Sequence, residues 1–369
     1  MFHDALVPFA ERRIIKMKKI MIVTLIVILM FTMTTTAFAS ENMESKNLEI
    51  ANRVAEKVEN ILDEDNAIVK NIIDNDFVTF PDFGDGQVAL KILGEEKVYV
   101  SLPENISYKK KYLANDGTAV YNATLENCFA TLQRVEQNCD GMIFDEFRNS
   151  VVLNNKNVPT EYRYRYTLPI GYSLISVEEY LTKYATEEEK AELKDVKNAV
   201  FILNQQNEII LTVDGLSAID SDGKIQNTKY YVENNEIVQT IDIDTDAEFP
   251  IVLYNTSHPD YQKERYLDEA GIKAVRDSYT GSTFSILIGG VLGIGTAALP
   301  TIAGVTLTLI STISGIYNHY SYTTWDNFYE TVRNSSIYYY LKVTTTYHYH
   351  PGQGTYYPKT NSYAYYGKE

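Results

Sequence analysis

One long stretch of this sequence carries no formal charge, and it constrains the fold more than any other feature. Between Ser278 and Trp325 there is no Asp, Glu, Lys or Arg. Within it, residues 284–299 and 301–317 are apolar or small throughout. Each arm approaches the ~17 residues that a helix needs to cross a bilayer. The pattern predicts a helical hairpin over 278–325, either inserted in lipid or buried in the core of a soluble domain.

Small residues and one proline would shape this hairpin. Gly289 and Gly293 lie four residues apart, on one helix face, where they permit close helix–helix approach in lipid. Pro300 separates the two arms and suits the apex of the hairpin or the start of its second helix. Gly304, in the second arm, completes the set of residues that we assign to a membrane hairpin.

The N-terminus predicts export. A basic segment at 16–19 precedes an apolar run over 20–31, and a small-x-small cleavage pattern ends at Ala39. This order is typical of a signal peptide, and the apolar run is too short for a comfortable transmembrane helix. Met17 is a more natural start than the first methionine. We therefore expect 1–39 to be a signal peptide with an over-extended start, and the mature chain to be secreted.

The charge of the chain is concentrated in its front half. The formal net charge is −16, yet residues 277–369 hold four basic and four acidic side chains. The excess of acidic residues therefore lies between Ser40 and Arg276. Nucleic acids and anionic lipid surfaces both attract Lys and Arg, so this composition argues against a nucleic-acid partner and against simple electrostatic capture by lipid.

The first part of the mature chain predicts a helix. Apolar residues recur at helical spacing with Glu, Lys and Asn between them. These residues are Ile50, Val54, Val58, Ile61 and Leu62. We expect one amphipathic helix over 44–73, in the segment 40–76, that packs its apolar face on the next domain.

Residues 77–256 consist of short β-like runs separated by turn signals. Runs at 88–93 and 97–102, for example, flank Gly94 as the two strands of a hairpin would. Strands this short and this regularly spaced predict a β-sandwich or a β-meander. The segment 176–194 is rich in Glu, Lys, Ala and Leu, and it predicts one helix inserted in the sheet.

A linker and an aromatic tail flank the uncharged stretch. Residues 257–277 are expected to be the linker. Of the 30 Tyr residues in the chain, fourteen fall between Tyr317 and Tyr366. The alternation at 336–350 is typical of a strand, so 326–369 is predicted to be a small Tyr-rich β tail. Such a tail can cover the hairpin as an ordinary sheet, or place its rings at a membrane–water interface.

The sequence offers no constellation of catalytic residues. It contains no nucleophile elbow, zinc-protease helix or phosphate-binding loop. His348 and His350 would share one face of a strand, but no third metal ligand is evident beside them. The acidic run that starts at Asp242 lacks the Gly and Glu that an EF-hand loop needs. We predict a non-enzymatic protein without a metal or cofactor.

The chain has two cysteines, Cys128 and Cys139. In an exported protein such a pair can close a disulfide across a short loop, whereas many exported Gram-positive proteins lack disulfides. Their spacing is not that of a zinc site. The sequence leaves both states of this pair open.

Residues 158–252 carry a series of short motifs, which are Tyr162-Arg163-Tyr164, Leu168-Pro169-Ile170-Gly171-Tyr172, Ala199-Val200-Phe201-Ile202-Leu203-Asn204, Glu208-Ile209-Ile210, Asp220-Ser221-Asp222-Gly223 and Phe249-Pro250-Ile251-Val252. In these motifs the region resembles a β-rich module of exported Gram-positive proteins, some of which are described as large bacteriocins of the geobacillin type. The last motif commonly continues with Ala-Asp-Pro, which this chain lacks. The resemblance implies a β-rich architecture followed by a Gly-rich segment and an aromatic tail, and it carries over no functional residue.

These features together predict an exported, non-enzymatic, bacteriocin-like protein. Its partners would be the membrane of a target cell and a receptor in the cell envelope. The alternative is a structural or binding protein that the same hairpin anchors in the producer's own membrane. A bacteriocin-like protein should be released into the medium, whereas an anchored protein should stay with the cells.

Overall fold

In the computed structural model, the described residues are 45–62, 67–70, 77–93, 96–124, 128–139, 142–278, 322–334 and 338–367. The predicted signal peptide at 1–39 lies outside them. Most of the predicted hairpin also lies outside them, including Gly289, Gly293, Pro300 and Gly304.

The described residues form eighteen strands and five helices. The strands are β1 Ala67–Lys70, β2 Val78–Thr79, β3 Gln87–Lys91, β4 Lys97–Ser101, β5 Tyr108–Leu113, β6 Ala119–Ala123, β7 Cys128–Cys139, β8 Met142–Leu153, β9 Glu161–Thr167, β10 Ser173–Ser176, β11 Val200–Leu203, β12 Ile209–Ile219, β13 Asn227–Glu233, β14 Glu236–Asp242, β15 Ile251–Pro259, β16 Tyr261–Leu267, β17 Tyr338–His350 and β18 Thr355–Gly367. The helices are α1 at 45–62, α2 Val177–Lys183, α3 Glu187–Leu193, α4 Glu269–Ser278 and α5 Tyr322–Asn334.

The strands build three antiparallel sheets. The large sheet has the order β10-β11-β12-β15-β8-β7-β6-β5, and β1 also pairs with β7. The second sheet has the order β13-β14-β9-β4-β3-β2. The third sheet, which we call the C-terminal sheet, has the order β16-β17-β18.

The first two sheets enclose the main hydrophobic core. Buried residues of both sheets belong to one cluster, with Leu132 and Val213 from the large sheet and Val98 from the second. Strand β9 shows how the sequence directs this packing, because Tyr164 is buried in the core while the adjacent Arg165 pairs with a carboxylate at the surface. The mainly β fold preceded by a helix is therefore confirmed, and the two sheets form a sandwich.

Helix α1 covers part of the outer face of the large sheet. Val58 is fully buried against residues of β6, β8 and β15. One polar contact crosses the same interface, where the Gln133 amide donates to the Glu59 carboxylate over 2.8 Å. The prediction that this helix packs on the next domain is confirmed.

The expectation that helix continues towards residue 76 is wrong for the stretch that forms β1. Strand β7 is longer than β6 and leaves residues 134–137 without a partner from that strand. Strand β1 pairs with these residues, so its backbone groups gain partners in the sheet rather than in a helix. Ile68 and Val69 are β-branched and suit this extended conformation.

Two helices, α2 and α3, replace the single helix predicted at 176–194. Helix α2 ends at Lys183, and Thr186 begins α3 as its N-cap. Thr186 Oγ1 accepts a hydrogen bond from the backbone N–H of Glu189, whose carboxylate accepts one from the backbone N–H of Thr186. This capping box restarts the chain as a second helix.

Replacing Thr186 with alanine is expected to lower the free energy of unfolding by about 1 kcal/mol, the usual value of an N-cap side chain. Chemical denaturation measures the change. Thr182→Ala is the matched control, because Thr182 lies within α2 and its hydroxyl donates to a carbonyl of its own helix. Equal effects of the two substitutions would contradict the capping role.

The linker expected at 257–277 is a strand and a helix instead. Strand β15 continues to Pro259, β16 follows at once, and α4 ends at Ser278. Strand β16 pairs along its whole length with β17, so its partner comes from the far side of the uncharged stretch. Within the described part of the chain, none of the helices is both long and apolar enough to span a bilayer.

The two cysteines are free and buried. They occupy the two ends of one strand, β7, and not the ends of a loop. At about 3.3 Å per residue, eleven steps along a strand separate them by roughly 36 Å, far beyond the reach of a disulfide. Burial raises the pKa of the Cys128 thiol to about 12, which keeps it protonated at neutral pH.

Candidate functional site

A buried histidine between two carboxylates is the most unusual side-chain arrangement in the sandwich. Three neighbouring strands of the large sheet contribute it, in the order β12, β15 and β8. His258 Nδ1 lies 2.7 Å from Glu146 Oε1, and His258 Nε2 lies 2.8 Å from Asp214 Oδ1. His258 is only 3% exposed. We call these three residues the His258 centre.

The carboxylates keep His258 charged. Burial alone would lower the pKa of the imidazole, but the charges and hydrogen bonds of Glu146 and Asp214 outweigh it and raise that pKa to about 10. Both ring nitrogens of the imidazolium donate to a carboxylate, so no lone pair is left to accept a proton. The His258 centre is therefore arranged to hold a charge and not to act as a general base.

The raised pKa makes stability depend on pH. The folded-state pKa of about 10 lies above the ordinary value of 6.5, so the stability gained from His258 is fully present below pH 6.5 and is lost as pH rises towards 10. We expect the free energy of unfolding to fall by at least about 1 kcal/mol between pH 6.5 and pH 9. Denaturation of wild type and His258→Gln across this range isolates the effect, since glutamine does not titrate. Parallel pH profiles would contradict the assignment.

The His258 centre lies where the C-terminal sheet packs on the large sheet. The Tyr349 ring of β17 stacks on the His258 imidazolium, with ring centroids 3.5 Å apart and an angle of 3° between the planes. The Tyr356 ring of β18 meets the same imidazolium edge-on at 6.4 Å. Stacking of a cation on an aromatic face is attractive, and more so away from water. The positive charge of His258 therefore helps to hold the C-terminal sheet on the large sheet.

An open cleft of about 680 Å³ lies beside the His258 centre. Asp214 and Tyr254 of the large sheet line it, together with the loop at 195–198 and the turn at 351–354. The Gln137 side chain donates to the carbonyl of Gly354 over 2.8 Å and fixes this turn on the large sheet. The cleft thus needs both the sandwich and the docked C-terminal sheet.

Helices α4 and α5 bring together the two ends of the uncharged stretch. The helices pack on each other. The Arg276 guanidinium lies 4.0 Å from the centre of the Tyr329 ring, and its Nη1 lies 3.4 Å from Asp326 Oδ1. We call this pair of helices the stem. Residues 279–321 lie outside the described residues. Arg276 and Asp326, which are in contact, lie two and four residues from the points where the described chain stops and resumes.

The histidines singled out in the tail lie on β17, where both rings are near Tyr357 of β18. They do not share a ligand, because His348 Nδ1 contacts Asp260 Oδ2 over 2.8 Å while His350 is buried separately. Among the described residues, no group of three or more His, Cys, Asp or Glu side chains could hold a metal ion.

Carboxylates of the acidic run considered for calcium, and of a second acidic turn at 220–223, have partners within the protein. Lys224 Nζ lies 2.9 Å from carboxylate oxygens of both Asp244 and Asp246. Asp220 is buried, and its carboxylate accepts from the backbone N–H groups of Asp222 and Lys224. These carboxylates stabilise neighbouring turns of the sandwich.

The His258 centre was not predicted from the sequence. Its residues are separated by 112 and 44 positions along the chain, so no local motif contains them. One local signal was present. On one face of strand β8, Glu146 and Arg148 alternate with the apolar residues Phe144 and Val152. Charged residues at such positions need buried partners.

No family model matches the chain, and no curated protein matches it significantly. A function can therefore be inferred only from the residues of the chain itself.

Proposed function

We propose that this protein is an exported, non-enzymatic antibacterial protein that acts on the membrane of a target cell through residues 278–325. The resemblance of residues 158–252 to a module of bacteriocin-like exported proteins supports this proposal. The alternative, an envelope protein anchored in the producer's membrane, uses the same segment and differs in location.

The stem is the observation that carries the proposal. A hairpin that enters a bilayer from one side must leave and rejoin the protein at the same place. Arg276 and Asp326 flank the uncharged stretch, and their contact meets this requirement. The stretch between them lacks formal charges, which keeps the cost of transferring it into lipid low.

The sandwich has a separate role in this proposal. Its acidic surface keeps the exported chain soluble before it meets a membrane. The cleft beside the His258 centre offers a place where an envelope component can bind. The C-terminal sheet forms one wall of the cleft and also follows the stem in the chain. It therefore connects the cleft, where an envelope component would bind, to the segment that would enter the membrane.

Dye release from liposomes tests the proposal. The purified full chain is expected to release dye, whereas Leu292→Asp is expected to release at least about tenfold less, because a carboxylate in the bilayer centre costs about 2.5–3.5 kcal/mol. Leu292→Ala is the matched control and should stay close to wild type. Circular dichroism of all three proteins checks that the β-rich fold is intact.

Two results would contradict the proposal. One is the absence of dye release across several lipid compositions, and the other is equal release by wild type and Leu292→Asp. Fractionation of producing cells then addresses the alternative. Release of the protein into the medium supports antibacterial action, and retention in the cell membrane supports an envelope protein.

A further inference from the structure

A second pocket, of about 630 Å³, lies on the opposite side of β17 from the His258 centre. Helices α2 and α3 form one wall, and the turn between β11 and β12 forms another. The third wall comes from β16 and β17 of the C-terminal sheet. We call it the aromatic pocket.

Three tyrosines line the aromatic pocket: Tyr172, Tyr180 and Tyr184. Tyr180 lies in α2 and Tyr184 is the C-cap residue of that helix, and their ring centroids are 6.4 Å apart. Tyr180 is held firmly, because its ring packs edge-on against Phe201 at 5.2 Å and its hydroxyl donates to Glu189 over 3.1 Å. Tyr184 is 41% exposed and free to adjust to a ligand.

The charge of the aromatic pocket is negative. Three carboxylates line it: Glu189, Glu208 and Asp260. No Lys or Arg stands among its lining residues, all of which belong to the described chain. His348 is the single lining side chain able to carry a positive charge, and it contacts one of the three carboxylates, that of Asp260. Burial and the Glu189 carboxylate raise the pKa of Tyr180, so this ring stays a neutral phenol with an electron-rich face.

We propose that the aromatic pocket binds an organic ammonium ion. Tyrosine faces attract cations, and such attraction is strongest for weakly hydrated ammonium groups partly removed from water. Carboxylates around the rings add attraction over a longer range. The cleft beside the His258 centre suits a cation less well, because Lys197 and the imidazolium offset two of the three carboxylates that line it. The inference does not depend on the hairpin entering a membrane.

The size of the pocket allows the ammonium group to belong to a larger molecule. A volume of about 630 Å³ exceeds what a small ammonium ion alone fills and lies in the range of ordinary ligand sites. Quaternary and primary ammonium groups share the positive charge that the pocket recognises. Choline and ethanolamine therefore serve as the two probes, and their relative affinity distinguishes the two kinds of group.

Calorimetric titration of the full chain tests the inference. Choline is compared with 3,3-dimethylbutan-1-ol, which has nearly the same shape and no charge. We expect choline or ethanolamine to bind saturably, and the neutral alcohol to bind at least about tenfold more weakly. Equal binding of the alcohol, or no saturable binding of either ammonium probe up to about 10 mM, would overturn the inference.

Substitution of Tyr184 tests whether the ammonium probes bind in the aromatic pocket. Tyr184→Leu removes the aromatic face and is expected to weaken ammonium binding by about fivefold to thirtyfold, the equivalent of ~1–2 kcal/mol for a cation–π contact. Tyr184→Phe keeps the face and should bind within about twofold of wild type. Because the side chain is largely exposed, both variants should unfold at the same temperature as wild type. Unchanged binding by Tyr184→Leu would overturn the assignment to this pocket.

Discussion

Replacing His258 with leucine is expected to lower the free energy of unfolding by about 3–5 kcal/mol near pH 7. The substitution removes the imidazolium and leaves the Glu146 and Asp214 carboxylates facing a buried apolar side chain. Glu146 is itself 4% exposed, so little water can reach it to replace the lost partner. A buried charge without its counter-charge is among the costliest defects that a single substitution can create.

Chemical denaturation of His258→Leu and of a triple variant separates charge from packing. The triple variant adds Glu146→Gln and Asp214→Asn, which remove both negative charges and keep the side-chain shapes. We expect it to recover a large part of the stability lost by His258→Leu alone. Equal stability of the two variants at pH 7 would show that packing, and not charge, dominates.

The sandwich could be predicted because its signals are local. Alternation in strands such as β9 shows which side chains face the core, and helical spacing of apolar residues shows the face of α1 that is buried. These patterns depend on a few consecutive residues. The break between α2 and α3 is local as well, and the capping box at Thr186 and Glu189 was its sequence signal.

The C-terminal sheet was harder to predict because its pairing is remote. Tyr261 of β16 lies opposite Tyr347 of β17, across the stem and the whole uncharged stretch. Residues 261–267 taken alone resemble a polar linker, since their partner strand is not nearby in the sequence. The His258 centre escaped prediction for the same reason, because strand order and not spacing brings its three residues together. The hairpin over 278–325 stays a prediction.

The docking of the C-terminal sheet depends on one aromatic side chain of the large sheet. Phe144 of β8 is fully buried and contacts one tyrosine from each strand of the C-terminal sheet. Its ring centroid lies 5.5 Å from that of Tyr261 and 5.6 Å from that of Tyr347. It stacks on Tyr356 with centroids 4.0 Å apart. Together with the stacking of Tyr349 on His258, these contacts join the sheet to the sandwich.

Replacing Phe144 with alanine is expected to lower the free energy of unfolding by about 3–5 kcal/mol, since it removes a large buried ring and leaves a cavity. The adjacent Ile143→Ala is the matched control, because Ile143 is 55% exposed and should change stability by no more than about 0.5 kcal/mol. Chemical denaturation measures both variants.

Hydrogen exchange shows where the stability lost by Phe144→Ala is located. If the C-terminal sheet is a separate cooperative unit, amide protons of β16 and β17 should exchange faster while those of β3 and β4 keep their protection. Uniform loss of protection would instead show that sandwich and C-terminal sheet unfold together. A change below about 1 kcal/mol would contradict the central role of Phe144. Faster exchange in the C-terminal sheet alone would show that this sheet can detach without unfolding of the sandwich. Because β17 follows α5 in the chain, binding in the cleft could then affect the stem through the C-terminal sheet.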